Sequence, residues 1–372
     1  MFIRFLGFLS IVLVVNSSAD ELKLENFKIG ARLQGMGTFS EDDQDFFLRR
    51  TRLNISYKLN DESKIVYDIR NDNSNQEDRG DGEFAIGDAY WQRDINQYTI
   101  KNIRFFRAKV DVSYSQTSSS KNLFNPERTI VAELASDFVV QNRRANNIQL
   151  NGNFHKAAYQ LVVSDGVQSS DLEDLNGNEI DSVQKQKLTY GGKIRYFFIG
   201  DASKNKAQDT FYGQVDTFSL GYGLFLNDRI EVENTAGGLQ EFNFSRKLQN
   251  VELSYANKYF RILAEHFSYS NDLIDLTAQN KEDILTDSVG SYIQGEIYIG
   301  HWAPYLITEK LTQDEDSNGD ERVTNSTTAG LNYYPYFDES LRFGAFTTST
   351  EFSEALDKDD EYKYGLYIML DV

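Results

Sequence analysis

Basic side chains recur in pairs separated by one residue. Three of these pairs are candidates for a basic surface: Arg50 and Arg52, Arg107 and Lys109, and Lys193 and Arg195. Residues two apart leave the same face of a β-strand, so each pair would present two positive charges on one surface. A guanidinium offers planar, bidentate hydrogen bonds to phosphate-like oxyanions, and a wall of such groups can select anions. The same side chains can instead pair with carboxylates such as Asp68 and Asp111 and stiffen the wall, so both interpretations stay open.

The stretch around the first pair, residues 46–59, alternates between a polar and an apolar face. The polar face has Arg50, Arg52, Asn54, Ser56 and Lys58, and the apolar face has Thr51, Leu53, Ile55, Tyr57 and Leu59. A period of two is that of a β-strand. A strand of a soluble β-sandwich has this pattern. So does a strand of a membrane barrel, whose apolar face meets lipid and whose polar face meets a watery lumen.

The same alternation recurs along most of the chain. The candidate strands are residues 27–34, 46–59, 63–70, 84–93, 103–114, 147–154, 157–164, 187–198, 215–226, 238–247, 249–257, 259–269, 288–299, 302–311, 323–334, 340–348 and 362–372. Bacterial single-chain barrels take even strand numbers, so the sequence predicts an all-β transmembrane barrel of about 16 antiparallel strands. A barrel of this size encloses an aqueous channel. The barrel is favoured over the sandwich because charged side chains within the strands fall repeatedly on one parity.

Residues 115–145 interrupt the alternation. This stretch contains Pro126, and residues 127–134 can form a short helix. A long excursion inside a compact β protein is usually functional or disordered. Inside a barrel such an insert can fold inward and narrow the lumen. It can equally form an outward surface loop, and both alternatives are open at this point.

The composition excludes several classes of function. The chain has 372 residues, no Cys, 13% aromatic residues and a formal charge of −19. The absence of Cys removes disulfides, thiolate chemistry and cysteine-type zinc sites. The negative net charge argues against nucleic acid as a partner, because a protein that binds a phosphate backbone needs a basic surface. The acidic residues cluster between the candidate strands, as in residues 171–181 and 314–321, where solvated loops are expected.

The N-terminal residues predict an export signal over residues 1–19. Arg4 supplies the positive region, and residues 5–15 form an apolar run. Ser17, Ser18 and Ala19 provide small residues for cleavage before Asp20. The run is too short to span a bilayer comfortably as a helix. Residues 20–372 are then expected to form one exported β domain.

Enzymatic and metal-dependent functions have little support in the sequence. His155, His266 and His301 have no metal-binding spacing, and neither a nucleophile elbow nor a nucleotide-binding motif occurs. We therefore expect no catalytic residue and no cofactor. One acidic stretch is a weak calcium candidate, with oxygen ligands at alternate positions: Asp314, Asp316, Asn318 and Asp320. Asn325 stands where a calcium loop needs a bidentate Glu, which favours an acidic surface loop.

Five short pieces of the sequence are similar to a known family. They are residues 30–34 (Gly-Ala-Arg-Leu-Gln), 47–53 (Phe-Leu-Arg-Arg-Thr-Arg-Leu), 103–110 (Ile-Arg-Phe-Phe-Arg-Ala-Lys-Val), 125–128 (Asn-Pro-Glu-Arg) and 142–144 (Asn-Arg-Arg). Together they resemble the phosphate-selective porin family, the porin O/P group. The resemblance implies an outer-membrane channel of about 16 strands. It also implies a homotrimer in the outer membrane of a Gram-negative cell, with a lumen that guides anions by arginines and lysines.

The resemblance also implies which residues line the anion path. By position, Arg32, Arg49 and Arg50 match arginines that line that path in the family. Arg107 and Lys109 fall where the family has basic lumen residues, and the polar faces add three more candidates: Arg52, Lys193 and Arg195. Alternation sends Arg49 and Arg50 to opposite faces, so both can line the pore only at a β-bulge or at the rim.

The sequence as a whole therefore predicts an outer-membrane porin without enzymatic activity. It would pass small hydrophilic solutes, including anions such as phosphate, by passive diffusion. The alternative is a non-channel barrel, or a secreted adhesin-like β protein, whose acidic loops bind a partner.

Overall fold

One closed sheet accounts for most of the fold. The computed structural model describes residues 23–40, 44–74, 84–139, 145–165, 172–173, 179–180, 182–186, 188–204, 216–234, 240–276, 287–315, 321–338, 340–356 and 358–372. Within these residues the main sheet has seventeen hydrogen-bonded segments. Two of them, Ser182–Gln186 and Thr189–Ile199, pair with the same neighbour and form one interrupted strand. The sheet therefore has sixteen antiparallel strands, and pairing of the first with the last closes it into a barrel.

The strands follow the order of the chain around the barrel. They are Phe27–Phe39 (β1), Gln44–Lys58 (β2), Ser63–Ser74 (β3), Ala85–Gln97 (β4), Ile100–Ala108 (β5), Ala145–Phe154 (β6), Ala157–Ser164 (β7), Ser182–Gln186 with Thr189–Ile199 (β8), Thr217–Asn234 (β9), Gln240–Ala256 (β10), Phe260–Leu276 (β11), Asp287–Ile297 (β12), Trp302–Glu315 (β13), Glu321–Tyr333 (β14), Leu341–Phe352 (β15) and Glu361–Asp371 (β16). Each strand pairs with its sequence neighbours, which is the topology of an up-and-down barrel.

Two of the predicted strand boundaries were wrong. Residues 238–247 and 249–257 are one strand, β10, because the stretch around Leu248 lacks the Gly, Pro or Asn-Gly chemistry of a turn. The strand predicted over residues 103–114 ends at Ala108, where the chain leaves the wall. The first correction explains why the sequence offers seventeen candidates for sixteen strands.

The outer surface of the barrel is an exposed apolar band. Leu161, Ile194 and Leu366 each expose more than half of their surface, at 56%, 51% and 55%. Short turns connect most of the strands at one end of the barrel, and an aromatic row runs along that end from Phe198 to Phe260. Its ring centroids are 4.9 Å apart for Phe198–Phe218, 6.0 Å for Phe218–Tyr255 and 5.3 Å for Tyr255–Phe260. A β-sandwich would bury such a band between sheets, whereas a membrane barrel exposes it to lipid.

Residues 109–139, called here the inserted segment, leave the wall after β5 and fold into the barrel. They contain two helices, Tyr114–Thr117 (α1) and Ile130–Val139 (α2). Of the two alternatives for this stretch, the structure has the inward one. The helix predicted over residues 127–134 begins later, at Ile130. In the described part of the chain, no helix is long and apolar enough to cross a membrane.

The inserted segment divides the lumen into two unlike halves. Helix α2 packs against β9 to β13 in an apolar core that includes Val131, Phe138, Leu248 and Phe267. Gly290 on β12 permits this packing, because a Cβ at that position would lie 2.5 Å from Cγ1 of Val131. The half of the lumen beside β1 to β7 remains open and polar.

Candidate functional site

The open half of the lumen forms a cavity of about 410 Å³, called here the lumen cavity. One wall is the inner face of β1 to β7, and the other is the first part of the inserted segment. The cavity is lined by six basic side chains and three carboxylates: Arg32, Arg52, Arg70, Arg104, Lys109 and Arg128, with Asp68, Asp88 and Asp111. Its other lining residues are mostly amides and hydroxyls. A chain with an overall charge of −19 thus has an excess of positive charge here.

Three of these arginines stand in one row across neighbouring strands. Arg32 on β1 lies directly opposite Arg52 on β2, and Arg52 lies directly opposite Arg70 on β3. Side chains opposite each other in an antiparallel pair are about 5 Å apart at Cβ, and like charges in that position are destabilising. A row of three guanidinium groups therefore requires compensating negative charge close by.

Each arginine of the row has its own carboxylate. The guanidinium of Arg32 lies 2.7 Å from Oδ1 of Asp371, and that of Arg52 lies 2.7 Å from Oδ2 of Asp72. Arg70 pairs with Asp68 and lies 3.4 Å from Asp88. The ion pairs hold the guanidinium groups in place against the wall while these groups still border the cavity. The same three arginines therefore pair with wall carboxylates and line the cavity.

Arg104 on β5 lines the same cavity in a different setting. Its guanidinium carbon lies 4.3 Å from the centroid of the Tyr90 ring and 4.8 Å from that of Phe106. Among the residues that the structure describes, it has no ion-pair partner. Stacking on aromatic faces keeps the cation in place without neutralising it. Neither Arg70 nor Arg104 is among the residues singled out from the sequence.

A β-bulge brings both Arg49 and Arg50 to the inside of the barrel. The register between β1 and β2 slips by one residue at this point, because Gln34 lies opposite Arg50 and Gly35 lies opposite Leu48. The bulge is the feature that the alternating pattern requires for both side chains to face inward. Arg50 is 1% exposed, donates to Oε1 of Gln34 at 2.6 Å and does not border the lumen cavity.

Arg49 fixes the inserted segment to the wall. Its guanidinium donates two hydrogen bonds to the carboxylate of Glu127, at 2.5 and 2.7 Å. Burial disfavours the charged form of Glu127, but the guanidinium of Arg49 outweighs this and lowers the pKa of Glu127 from 4.5 to about 2. A carboxylate with a depressed pKa stabilises the folded state above its ordinary pKa and loses that effect as the pH falls toward its folded value.

We predict that Glu127→Gln destabilises the barrel near neutral pH but not in strong acid. The difference from the wild type is expected on the order of 1–2 kcal/mol at about pH 6, after allowance for partial exposure, and to vanish by about pH 2. Heat-modifiable gel migration after heating at each pH measures it. Glu62→Gln is the matched control, since Glu62 is an exposed partner of Arg93. A difference that is constant over this pH range would contradict the assigned role of the ion pair.

The structure contradicts the inward placement of Arg107. This side chain is exposed, on the same face as Phe105, and donates to the carbonyl oxygens of Ile86 and Gly87 at 3.0 and 3.2 Å. Phe106 and Ala108 face inward instead, because the inserted segment covers this part of β5 and makes it protein interior. Alternation gives two faces but does not say which one meets water, so the assignment of faces on β5 was reversed.

Lys193 and Arg195 are buried within an ion network and do not border the lumen cavity. Both pair with Glu252 on β10, and Arg195 lies 3.0 Å from Asp111 at the start of the inserted segment. Lys193 also donates to the carbonyl oxygen of Val112 at 3.3 Å. These two cations therefore attach the inserted segment to β8. Lys109, by contrast, borders the cavity as the sequence predicts.

Glu265 on β11 attaches the other side of the same stretch. It accepts hydrogen bonds from Oγ of Ser113 at 2.6 Å, from the backbone N–H of Tyr114 at 2.9 Å and from the hydroxyl of Tyr292. Further along, the carbonyl oxygens of residues 122–124 accept from Arg261, Arg342 and Asn332 at 3.0, 2.6 and 2.9 Å. The inserted segment is thus held from several sides of the barrel.

The weak calcium candidate lies mostly outside the described residues. Asp314 is near the end of β13, while Asp316, Asn318 and Asp320 fall in residues 316–320, which the structure does not describe. In the described ranges, no three His, Cys, Asp or Glu side chains come together in a way that could hold a metal ion. The predicted export signal, residues 1–19, also lies outside the described residues.

Comparison with solved structures shows which known fold the barrel has. No family model matches the chain, and no curated protein matches it. The outer membrane channel DcaP of Acinetobacter baumannii aligns with a TM-score of 0.61 at 12% identity, over 93% of this chain and 97% of that chain. The anion-selective porin from Comamonas acidovorans aligns with a TM-score of 0.60 at 12% identity, over 93% and 99%. The chain has the fold of an outer-membrane porin.

A third porin-fold structure was solved as an oligomer. The in-vitro folded OmpT of Vibrio cholerae, an outer membrane protein in its trimer form, aligns with a TM-score of 0.60 at 12% identity, over 93% of this chain and 99% of that chain. At this level of identity the similarity concerns the fold alone. What passes through the barrel must be argued from the residues of its lumen.

Proposed function

We propose that this protein is an outer-membrane porin through which small hydrophilic solutes diffuse passively, with anions favoured over cations. The observation that carries the proposal is the row of Arg32, Arg52 and Arg70 along the lumen cavity. Guanidinium groups bind oxyanions with two parallel hydrogen bonds, and a wet lumen leaves them accessible. Wall carboxylates offset the repulsion between these neighbouring cations, and all three guanidinium groups still border the cavity.

The size and lining of the lumen cavity support small polar solutes. A volume of about 410 Å³ falls in the range of sites that hold small molecules. Phosphate and related oxyanions are the solutes that suit a guanidinium row, in agreement with the resemblance to phosphate-selective porins. The proposal includes export by the signal at residues 1–19, insertion in the outer membrane of a Gram-negative cell and assembly as a homotrimer. It involves no cofactor and no catalysis.

Single-channel recording of the refolded protein in a planar bilayer tests the proposal. Under a potassium chloride gradient we expect discrete conductance steps and a reversal potential biased toward chloride. Inorganic phosphate added to one side should reduce the chloride current, because it competes for the same guanidinium groups. Steps with a cation bias would contradict the proposed selectivity. A folded, detergent-stable barrel that gives no steps would favour a non-channel role.

A further inference from the structure

Arg104 is a neighbour of the row of three arginines but differs from it in one respect. The guanidinium of Arg70 lies 3.4 Å from Oδ1 of Asp88 on β4, and the guanidinium carbon of Arg104 lies 4.3 Å from the ring centroid of Tyr90, two residues further along the same strand. Arg70 is paired with carboxylates, whereas no carboxylate in the described part of the chain lies within ion-pair distance of Arg104. An anionic group can therefore bind Arg104 without displacing a carboxylate.

The stacked rings orient Arg104 and leave its hydrogen-bonding edge free. Tyr90 and Phe106 contact the faces of the guanidinium, while its N–H donors lie in the plane of the group. Arg104 donates no hydrogen bond to the residues that the structure describes, and among its nitrogens only Nε is buried there without a partner. The two terminal nitrogens are therefore accessible from the lumen cavity, which Arg104 borders. They can donate two parallel hydrogen bonds to one carboxylate.

Beside Arg104 the lining of the cavity changes from charged side chains to amides. Gln149 on β6 lies directly opposite Arg104, and Asn151 on β6 lies directly opposite Gln160 on β7. Gln149, Asn151 and Gln160, called here the amide wall, all border the lumen cavity. Nε2 of Gln149 donates to Oδ1 of Asn151 at 2.6 Å, and Nε2 of Gln160 donates to the carbonyl oxygen of Asp111 at 2.8 Å. The amide nitrogens thus fix the orientation of the wall.

The same hydrogen bonds leave acceptor oxygens of the amide wall without a donor. Within the described residues, no donor reaches Oε1 of Gln149 or Oε1 of Gln160. Neither oxygen is fully buried, so both can be reached from the cavity. Asp88, whose side chain is 38% exposed, adds a carboxylate to the same lining. Amide and carboxylate oxygens only accept hydrogen bonds, so a solute that suits them needs donors in addition to negative charge.

We propose that the lumen cavity binds a sugar acid, that is, a small organic anion whose carbon chain carries several hydroxyl groups. This inference rests on the proposed channel and names its solute class. The carboxylate of the solute pairs with the terminal nitrogens of Arg104. Its hydroxyls donate to Gln149, Gln160 and Asp88. Chloride can occupy Arg104, but it has no donor for these oxygens.

The dimensions of the cavity agree with a solute of this kind. A volume of about 410 Å³ lies within the range of clefts that hold a whole organic molecule. Arg104 and Gln160 are two strands apart, a separation on the order of 10 Å. An inorganic anion cannot contact both positions at once, whereas a sugar-sized molecule extends from one to the other.

Block of the chloride current by three matched solutes tests the inference. Gluconate carries both charge and hydroxyls, hexanoate has the same chain length and charge without hydroxyls, and sorbitol has the hydroxyls without the charge. In a planar bilayer, gluconate should halve the current at a concentration about tenfold lower than hexanoate, because two added hydrogen bonds are worth about that factor. Sorbitol should block least. Equal block by gluconate and hexanoate would overturn the inference.

A double variant of the amide wall tests the hydroxyl contacts. Gln149→Leu/Gln160→Leu removes both acceptors without changing the charge of the lumen. It should raise the half-blocking concentration of gluconate to that of hexanoate and leave the reversal potential unchanged. Gln249→Leu is the matched control, since Gln249 donates to the hydroxyl of Tyr222 at 3.0 Å on the outer face. A double variant that migrates as a folded barrel and still prefers gluconate would refute the assigned contacts.

Arg104→Gln tests the anionic contact. It should weaken block by gluconate and by hexanoate alike, about tenfold, because both lose a charge-assisted hydrogen bond. Unchanged block by either acid would refute the role of Arg104. Calorimetric titration of the refolded barrel with gluconate measures binding without conduction. A barrel that binds gluconate but gives no conductance steps refutes only the proposed channel, whereas an anion-selective channel without a preference for gluconate refutes only this inference.

Discussion

The triple variant Arg32→Gln/Arg52→Gln/Arg70→Gln is expected to lower the anion-to-cation permeability ratio roughly tenfold. A unit charge about 8 Å from a permeant ion contributes about 0.5 kcal/mol at the dielectric constant of water, and screening by about 0.1 M salt reduces this to about 0.25 kcal/mol. Attraction of the anion and repulsion of the cation both enter the ratio, so three charges contribute about 1.5 kcal/mol. The lumen cavity would then be lined by three basic side chains and three carboxylates. The reversal potential under a salt gradient measures the change.

Two further variants test whether the positive charge of these three residues causes the anion preference. The charge-conserving triple variant, with Lys at the same three positions, should keep its anion preference. Arg93→Gln/Arg107→Gln removes two charges from exposed positions and should leave the reversal potential unchanged. Heat-modifiable migration identifies variants that have failed to fold. An unchanged ratio in a folded triple Gln variant would rule out the arginine row as the source of selectivity.

Glu265→Ala is expected to release the start of the inserted segment and to raise single-channel conductance at least twofold. The substitution leaves the hydroxyls of Ser113 and Tyr292 and the N–H of Tyr114 without their shared acceptor. It also removes a carboxylate 3.8 Å from Lys193. Breaking a buried charge network of this kind costs about 3–5 kcal/mol. Because α1 and Lys109 belong to the same stretch, anion preference should fall as conductance rises.

Proteolysis provides an independent readout of the same release. Arg128 donates to the carbonyl oxygens of Ser115 and Ser118 at 3.3 and 3.1 Å, so trypsin should not cut after it in the wild type. In Glu265→Ala, cleavage within the inserted segment should become detectable in intact vesicles. Glu265→Gln keeps one acceptor oxygen and should show a smaller effect in both assays. Wild-type conductance together with full protease resistance would show that Glu265 does not hold the segment.

The inserted segment also explains how an acidic protein comes to have a basic lumen cavity. The segment fills the side of the barrel next to β9 to β13 with apolar side chains such as Val131 and Phe138. The open side of the lumen is the one where Arg32, Arg52 and Arg70 stand. Net charge is a property of the whole surface, whereas the field in the lumen depends on the few side chains that line the open half.

The fold follows from local pattern, and for that reason it was predictable. A barrel strand needs one apolar face and one polar face, and a two-residue alternation in the sequence supplies both. Residues 46–59 show this alternation without reference to any tertiary contact. The strand number and the presence of an insert came from the same pattern. Arg32 and Arg52 border the cavity because the polar faces of β1 and β2, which the alternation defines, meet it. Lys109 borders the cavity from the inserted segment, one residue after the end of β5.

Tertiary structure decided which basic residues border the cavity. Arg50 faces inward but is covered, Arg107 faces outward, and Lys193 and Arg195 are used to hold the inserted segment. Arg70 and Arg104 border the cavity, although only their place on a strand could have drawn attention to them. The physical reason is that alternation fixes relative faces within one strand. Strand register, the bulge at Arg49 and the path of the inserted segment arise from contacts between residues far apart in the chain.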